Sequence, residues 1–405
     1  MEPRSARRRC LLLLGAAALA GGRPVHEVED ELRRLGAALG EPDVQSACAP
    51  TGLFVSLGDD EPAGFESVGA PLRFDQAAAV TAIGDRVHSG ELDPEATIAA
   101  LRAVRAQPPR LPRWAAAAGL LPVGAGIALI LQPAPANVAA ALLCSLLVAG
   151  LIELATRSPL LTTLLPVVAA FATGCLIFGA AEVDLLDGPL RTLLAPIAVL
   201  LPGALIVTGM SELAAGAMVA GSARLIFGTV QLLLFTFGVL AAARVIGPEA
   251  AELANVRVDE LGPWAAWAGL LLIGAGVYLN VSAPPGALPW MLALLALTFL
   301  AQSGGQEAYG ASVGGFLGGL VAALGAALVQ RFHGPPSLVV FLPAFWLLVP
   351  GSLGLLGTTQ LVTDAGDGFA TAQGAVGVVV AIALGVLIGS ALGRALEAHA
   401  VHPRG

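Results

Sequence analysis

Arg113–Ile127 reads RWAAAAGLLPVGAGI, and 150 residues later Pro263–Val277 reads PWAAWAGLLLIGAGV. Counted from Trp114 and Trp264, ten of fourteen positions are identical. Further along, PGALIVTGMSEL at Pro202 matches PGSLGLLGTTQL at Pro350, offset 148, with five of twelve identical. Two blocks in one order and at nearly one offset define an internal repeat of about 150 residues.

Both copies lie in apolar sequence. Ten apolar runs follow one another: Trp114–Leu131, Val138–Ala155, Leu160–Ala181, Leu190–Gly209, Leu225–Ile246, Trp264–Leu279, Leu288–Ala301, Ala311–Val329, Leu338–Gly357 and Ala372–Leu396. A membrane span needs about 20 residues, and the seventh run is shorter than that. Five spans per copy is an odd number, so the second copy enters the membrane from the opposite side. The expectation is an α-helical polytopic membrane protein of ten helices in two inverted five-helix repeats. Many secondary transporters are built this way.

Composition agrees. Of 405 residues, 56% are hydrophobic and 12% charged, and the mean hydropathy is +0.81. Soluble chains carry about 25% charged residues. Residues 1–113 hold 29 charged side chains and the remaining 292 residues hold 21. The expected domains are therefore 1–112, a small α+β domain; 113–247, the first membrane repeat; and 248–405, the second.

The side follows from arginine, the chain having no lysine. With the N-terminus inside, inner segments hold Arg110, Arg113, Arg157, Arg224, Arg331, Arg394 and Arg404, whereas outer loops hold Arg191, Arg244 and Arg257 among acids. The positive-inside rule then places both termini in the cytoplasm. RRRCLLLLGAAALA has the layout of a secretory leader, but the arginine bias opposes a translocated N-domain.

Within the first domain, Val28, Leu32, Leu35 and Leu39 recur at helical spacing, which predicts a helix over Glu27–Leu39. TGLFVSL reads as a strand, GDDEPAG as a turn and SVGAPLRF as a partner strand. Asp93-Pro94 reads as a helix start. HEVED at His26 lacks the second His of a zinc-protease helix and reads as a solvated helix face.

Several classes are excluded. Net charge −8 and the lack of a basic cluster beyond Arg7–Arg9 argue against nucleic-acid binding. Cys10, Cys48, Cys144 and Cys175 form no CxxC or Cys/His group, and His26, His88, His333, His399 and His402 lie outside the apolar runs. No structural zinc, disulfide framework or membrane haem is expected. No phosphate-binding loop or nucleophile elbow is present, which disfavours an ATP-driven pump.

The fourth span of each repeat carries Pro-Gly: Pro202, Gly203 in the first and Pro350, Gly351 in the second. Paired interruptions at matching positions point to a substrate site. Thr208, Glu212 and Gln360 follow these breaks as candidate substrate-binding residues. Gln360 is the repeat counterpart of Glu212. Arg224 ends the segment after Glu212, and the two are the candidate proton-coupling pair. Glu153 beside Arg157 reads as a local ion pair, Glu307 as a loop acid and Gln231 as a helix–helix hydrogen-bonding residue.

These stretches resemble a known family, the threonine/serine exporters. LLLLGAAALAGGRPVHEVEDELRRLGAALG is similar to the family's opening helices, which makes Leu11–Ala20 a helix of the domain and not a leader. PTGLFVSL resembles its first strand. LLPGALIVTGMSELAAGAMVAGSARL resembles its most characteristic stretch, and the block around LVPGSLGLLG resembles a shorter partner domain that some members encode separately. The family usually has Asp where Glu212 stands and a second acid where Ala217 stands. The resemblance implies an inner-membrane exporter of small hydroxy amino acids driven by proton antiport. Relatives split across two chains are associated with export of dicarboxylates such as succinate, so that substrate stands as an alternative. A membrane channel and a membrane-anchored enzyme are the readings from other classes. The first domain holds no complete catalytic constellation, so no enzyme is expected. No cofactor and no metal are expected. The expected partners are the amino-acid substrate, protons and the lipid bilayer, with a homo-oligomer left open.

Overall fold

The computed structural model describes residues 3–59, 61–247, 256–332, 334–348, 354–359 and 368–401. Pro350, Gly351, Gln360, His333, His402 and Arg404 lie outside the described residues. Contacts group the chain into two units. One joins residues 1–110 with 208–224 and 282–284, and the other holds the remainder.

The first unit is α+β. Helix α1 (Pro3–Ala20) is its centre, and α2 (Val25–Ala38), α3 (Phe74–His88) and α4 (Pro94–Ala106) pack round it with a three-stranded antiparallel sheet. The strands are β1 (Gln45–Ala49), β2 (Gly52–Ser56) and β3 (Gly64–Ser67), in the order β1-β2-β3. Cys10, Leu11 and Leu14 of α1 are buried among Leu32 and Leu35 of α2, Leu53 and Val55 of β2, and Leu101 of α4. The leader-like stretch is thus the core helix of this unit. Its arginines serve the same packing: Arg4 and Arg7 pair with buried Glu41 at 3.0 and 2.8 Å, and Arg9 pairs with Glu66 at 2.5 Å.

Strand alternation sends Leu53 and Val55 inward and Phe54 outward, where its ring lies 4.9 Å from that of Phe65. Asp93 caps α4 by accepting from the Ala96 N–H at 2.7 Å, with Pro94 in the first turn. Two expectations are corrected. The partner of β2 is GFES, residues 64–67, not SVGAPLRF. A further strand, Gln45–Ala49, pairs with its other edge.

The second unit is helical. Among the described residues, seven helices are long and apolar enough to span a membrane: α5–α6 (Arg113–Leu131), α7 (Pro135–Ala155), α8 (Pro159–Ala181), α11 (Met218–Ile246), α13 (Ala287–Tyr309), α14 (Ala311–Arg331), and Ala372–Leu396 within α17 (Gly368–Val401). An eighth is a broken pair, α9 (Pro189–Ile197) with a 3₁₀ turn to Leu200, then α10 (Gly203–Ala214), bent by 65°. The sixth and ninth runs form shorter apolar helices, α12 (Trp264–Asn280) and α15 (Ser337–Leu348). Residues 354–359 are helical again and are called α16. The seventh run gains length because its helix continues through Gln302–Tyr309; Ser303 donates to the Phe299 carbonyl, and Glu307 is a helical residue rather than a loop acid. Leu143 and Leu146 on α7, Leu176 on α8, Phe237 on α11 and Leu300 on α13 are exposed. So much bare apolar surface on long helices suits a lipid surround.

Helices α5–α6 and α12, which carry the repeated Trp114 and Trp264 blocks, cross with their chains antiparallel. A Cβ on Gly119 would lie 2.6 Å from the Gly276 carbonyl oxygen, and one on Gly126 would lie 2.6 Å from that of Gly269. Gly119 and Gly269 are repeat equivalents, as are Gly126 and Gly276. The contact is therefore reciprocal, each patch meeting its counterpart's neighbour, as across a two-fold axis.

Candidate functional site

Pro196 and Pro202 each lack the N–H that an α-helix requires, and Leu201 before Pro202 is forced to extended backbone at φ −65°, ψ 138°. The helix stops and restarts. The Pro202 carbonyl accepts from the Ile206 N–H at 3.0 Å, so Pro202 caps α10 and Gly203 is its first helical residue. Pro202 and Gly203 are both buried.

The other end of α10 is set by Gly216 at φ +88°. Ala217 N–H donates to the Glu212 carbonyl at 2.8 Å, and Gly216 N–H donates to that of Leu213 at 3.1 Å. This is the Schellman pattern, which needs a left-handed residue that glycine supplies at no steric cost. The chain then reverses tightly. A Cβ on Gly221 would stand 2.6 Å from the Gly209 carbonyl, so two glycines let the start of α11 lie against α10. This hairpin carries Arg224 back to Glu212, with Nε 3.1 Å from Oε2.

Glu212 is fully buried, and the Arg224 side chain is 14% exposed. The other carboxylate oxygen, Oε1, accepts from the Val25 N–H at 2.8 Å. Val25 opens α2, whose capping residue, Pro24, has no side-chain acceptor. Glu212 therefore supplies from 187 residues away the cap that α2 lacks, and its charge faces the positive end of that helix. The ion pair is close but not aligned as a hydrogen bond, and His26 Nδ1, one residue on in α2, is buried with no hydrogen-bond partner among the described residues. Buried polar atoms in that condition call for an explanation, and function is one.

The structure brings Glu212 and Arg224 together. It does not bring Glu212 to the Pro202-Gly203 break: the nine residues from Gly203 to Glu212 span roughly 13 Å of helix. Thr208 lies between them, one turn before Glu212, and its carbonyl accepts from the Ser211 hydroxyl at 3.2 Å. The Val25 amide was not expected from sequence, because a backbone donor carries no residue signature. The only signal was the capless Pro24 start. Glu153 pairs loosely with Arg157 at 3.9 Å. No group of three or more His, Cys, Asp or Glu side chains among the described residues is arranged to hold a metal ion.

A family model described as "Putative threonine/serine exporter" matches residues 9–246. No curated protein and no solved structure matches the chain.

Proposed function

The chain belongs to the threonine/serine exporter family, and from that premise we propose that it exports small hydroxy amino acids, threonine or serine, across the cell membrane in exchange for protons. Its termini are then cytoplasmic and its membrane part is an inverted repeat of ten spans. The reciprocal crossing of α5–α6 and α12 supports the repeat, because a two-fold axis that exchanges antiparallel helices runs perpendicular to both.

One observation carries the assignment of the coupling group: the fully buried Glu212 carboxylate between the Val25 amide and the Arg224 guanidinium. Buried acids in transport proteins are proton-relay candidates. The separation of Glu212 from the break divides the labour. The restarted helix at Gly203 presents N–H groups and a positive dipole end to the substrate carboxylate. Glu212, too far along the same helix to touch the same small molecule, carries the proton. Arg224 and the α2 N-terminus hold the carboxylate when the proton leaves.

Purified protein in proteoliposomes tests this. Glu212→Gln keeps an oxygen acceptor for Val25 N–H, so the fold stands. Proton-driven export of serine is expected to be lost while exchange of serine for serine survives. Glu212→Asp is expected to retain export. A Glu212→Gln protein with normal rate and normal pH dependence overturns the coupling role, and wild-type export of succinate in place of serine overturns the substrate.

A further inference from the structure

We propose that a groove in the first unit binds a nucleotide, with the phosphates on arginine and the base on Phe65. The groove lies between α1, α4 and β3 and has a volume of about 640 Å³. Arg8 and Arg9 of α1, Glu95 and Arg102 of α4, and Gly64 and Phe65 of β3 line it. Small-molecule pockets measure about 300–1,000 Å³, so the space suits a nucleotide and is generous for a single amino acid.

Charge selects the phosphates. The basic cluster near the N-terminus divides on folding: Arg7 turns to Glu41, while Arg8 and Arg9 line the groove. Arg9 is matched by Glu66 at 2.5 Å. Arg8 donates to the Pro62 carbonyl at 3.0 Å, and its only acid is Glu61 at 3.7 Å. That carboxylate lies nearer Arg4, at 2.8 Å. Arg102 is exposed and has no ion pair or hydrogen bond among the described residues. Guanidiniums brought to one groove repel one another until an anion joins them, and their planar forks match phosphate oxygens. Glu95, the acid on the groove itself, stands seven residues before Arg102, roughly 10 Å away along the helix. It therefore leaves the Arg102 end positive.

The rest of the groove suits what a nucleotide carries besides phosphate. Phe65 is 55% exposed although Phe54, its cross-strand partner, packs 4.9 Å away at a tilt of 45°. A bare anion has no use for an open aromatic ring at its site, whereas a base stacks on one. Glu95, an acceptor only when ionised, matches the hydroxyls of a ribose. Stacking tolerates every base, so ADP serves as the probe.

Calorimetric titration of the purified full-length protein in detergent with ADP, pyrophosphate and adenosine tests the site. ADP is expected to bind more tightly than either of the others. Arg102→Gln is expected to weaken ADP and pyrophosphate alike, by about tenfold. Phe65→Leu, which keeps an apolar side chain on the sheet, is expected to weaken ADP by about tenfold and to leave pyrophosphate unchanged. Arg105→Gln is the control, since Arg105 is exposed on the same helix but does not line the groove. No binding of ADP at millimolar concentration overturns the proposal. So does pyrophosphate binding as tightly as ADP, which leaves the ring without a role. Equal losses in Arg102→Gln and Arg105→Gln mean general surface charge, and ADP binding unchanged in both Arg102→Gln and Phe65→Leu places the nucleotide elsewhere; each of these also overturns it.

Discussion

At the scale of single residues, burial separates structural charge from functional charge. Glu41 is nearly buried and is matched on both oxygens. Hydrogen bonds from Arg4 and Arg7 hold its carboxyl below the usual carboxylate range. A carboxylate whose folded-state value is depressed stabilises the fold above its unfolded value, about 4.3, and loses that contribution as pH falls through the lower folded value. Both arginines are partly exposed, so solvent screening keeps the contribution of the pairing small. Glu41→Gln is expected to speed hydrogen exchange in α1 at pH 7, with the difference from wild type shrinking below about pH 4. A difference of constant size down to pH 3 contradicts the linkage. Glu212 differs in geometry: one oxygen accepts from the Val25 amide, the Arg224 guanidinium beside the other is out of hydrogen-bond alignment, and the buried His26 Nδ1 has no partner among the described residues. Its acid and its arginine were legible in sequence because they stand twelve residues apart across a glycine-rich turn. The Val25 amide, 187 residues away, and the Thr236–Thr358 contact, 122 residues apart, were not. Neither the spacing nor the residue type at one partner position announces the other.

At the scale of elements, periodic helices were readable and short strands were not. The helix after Asp93-Pro94 carried its own start signal, and the fourth apolar run carried its own break. β1, QSACA, has no β-branched residue, and its place in the sheet comes from register against β2. α3 passed unrecognised although Phe74, Val80, Ile83 and Val87 of its buried face recur at near-helical spacing, because its first residue was read into the strand SVGAPLRF and alanines also occupy its other faces. Glycines decide the membrane helices. The crossing of α5–α6 with α12 is set by backbone against backbone, which cannot yield as a flexible side chain can. Gly126→Val and Gly276→Val, being repeat equivalents, are each expected to destabilise the purified protein by about 1–3 kcal/mol and to a similar extent. Gly150→Val, on a face of α7 with nothing within 4 Å of its added Cβ, is the control and is expected to be near neutral. Thermal unfolding in detergent compares the three. Equal losses at Gly126 and Gly150 mean that close approach is not what those glycines serve.

At the scale of the whole molecule, the class of protein was legible and the number of crossings was less so. Hydropathy finds apolar runs but does not see bends. It counted Leu190–Gly209 as one span where the chain is kinked by 65°, and it could not tell that α12 has 17 residues. Parity makes the count testable. Seven crossings put the N-terminal unit and the C-terminus on opposite sides of the membrane. Eight crossings, with the bent pair as one, or ten, with α12 and α15 added, put them on the same side. The charge pattern favours an even number. α12 lies antiparallel along α5–α6 from Gly276 to Gly269 and so shares the depth of a helix that spans; with α12 counted, parity is even when the bent pair and α15 both cross or neither does. The inner segments of the ten-crossing arrangement collect Arg113, Arg157, Arg224, Arg331 and Arg394, as the positive-inside rule requires. In a protein freed of its four cysteines, single cysteines at Asp59 and at Ala395 are therefore expected to resist an impermeant maleimide in intact cells. Both are expected to react once the membrane is opened. Labelling of Ala395→Cys alone in intact cells means an odd number of crossings and removes the inverted repeat. Labelling of both keeps the parity but turns the molecule over; the Glu212–Arg224 pair would then face the outside and load its proton there directly, while the direction of transport would still be set by the gradients.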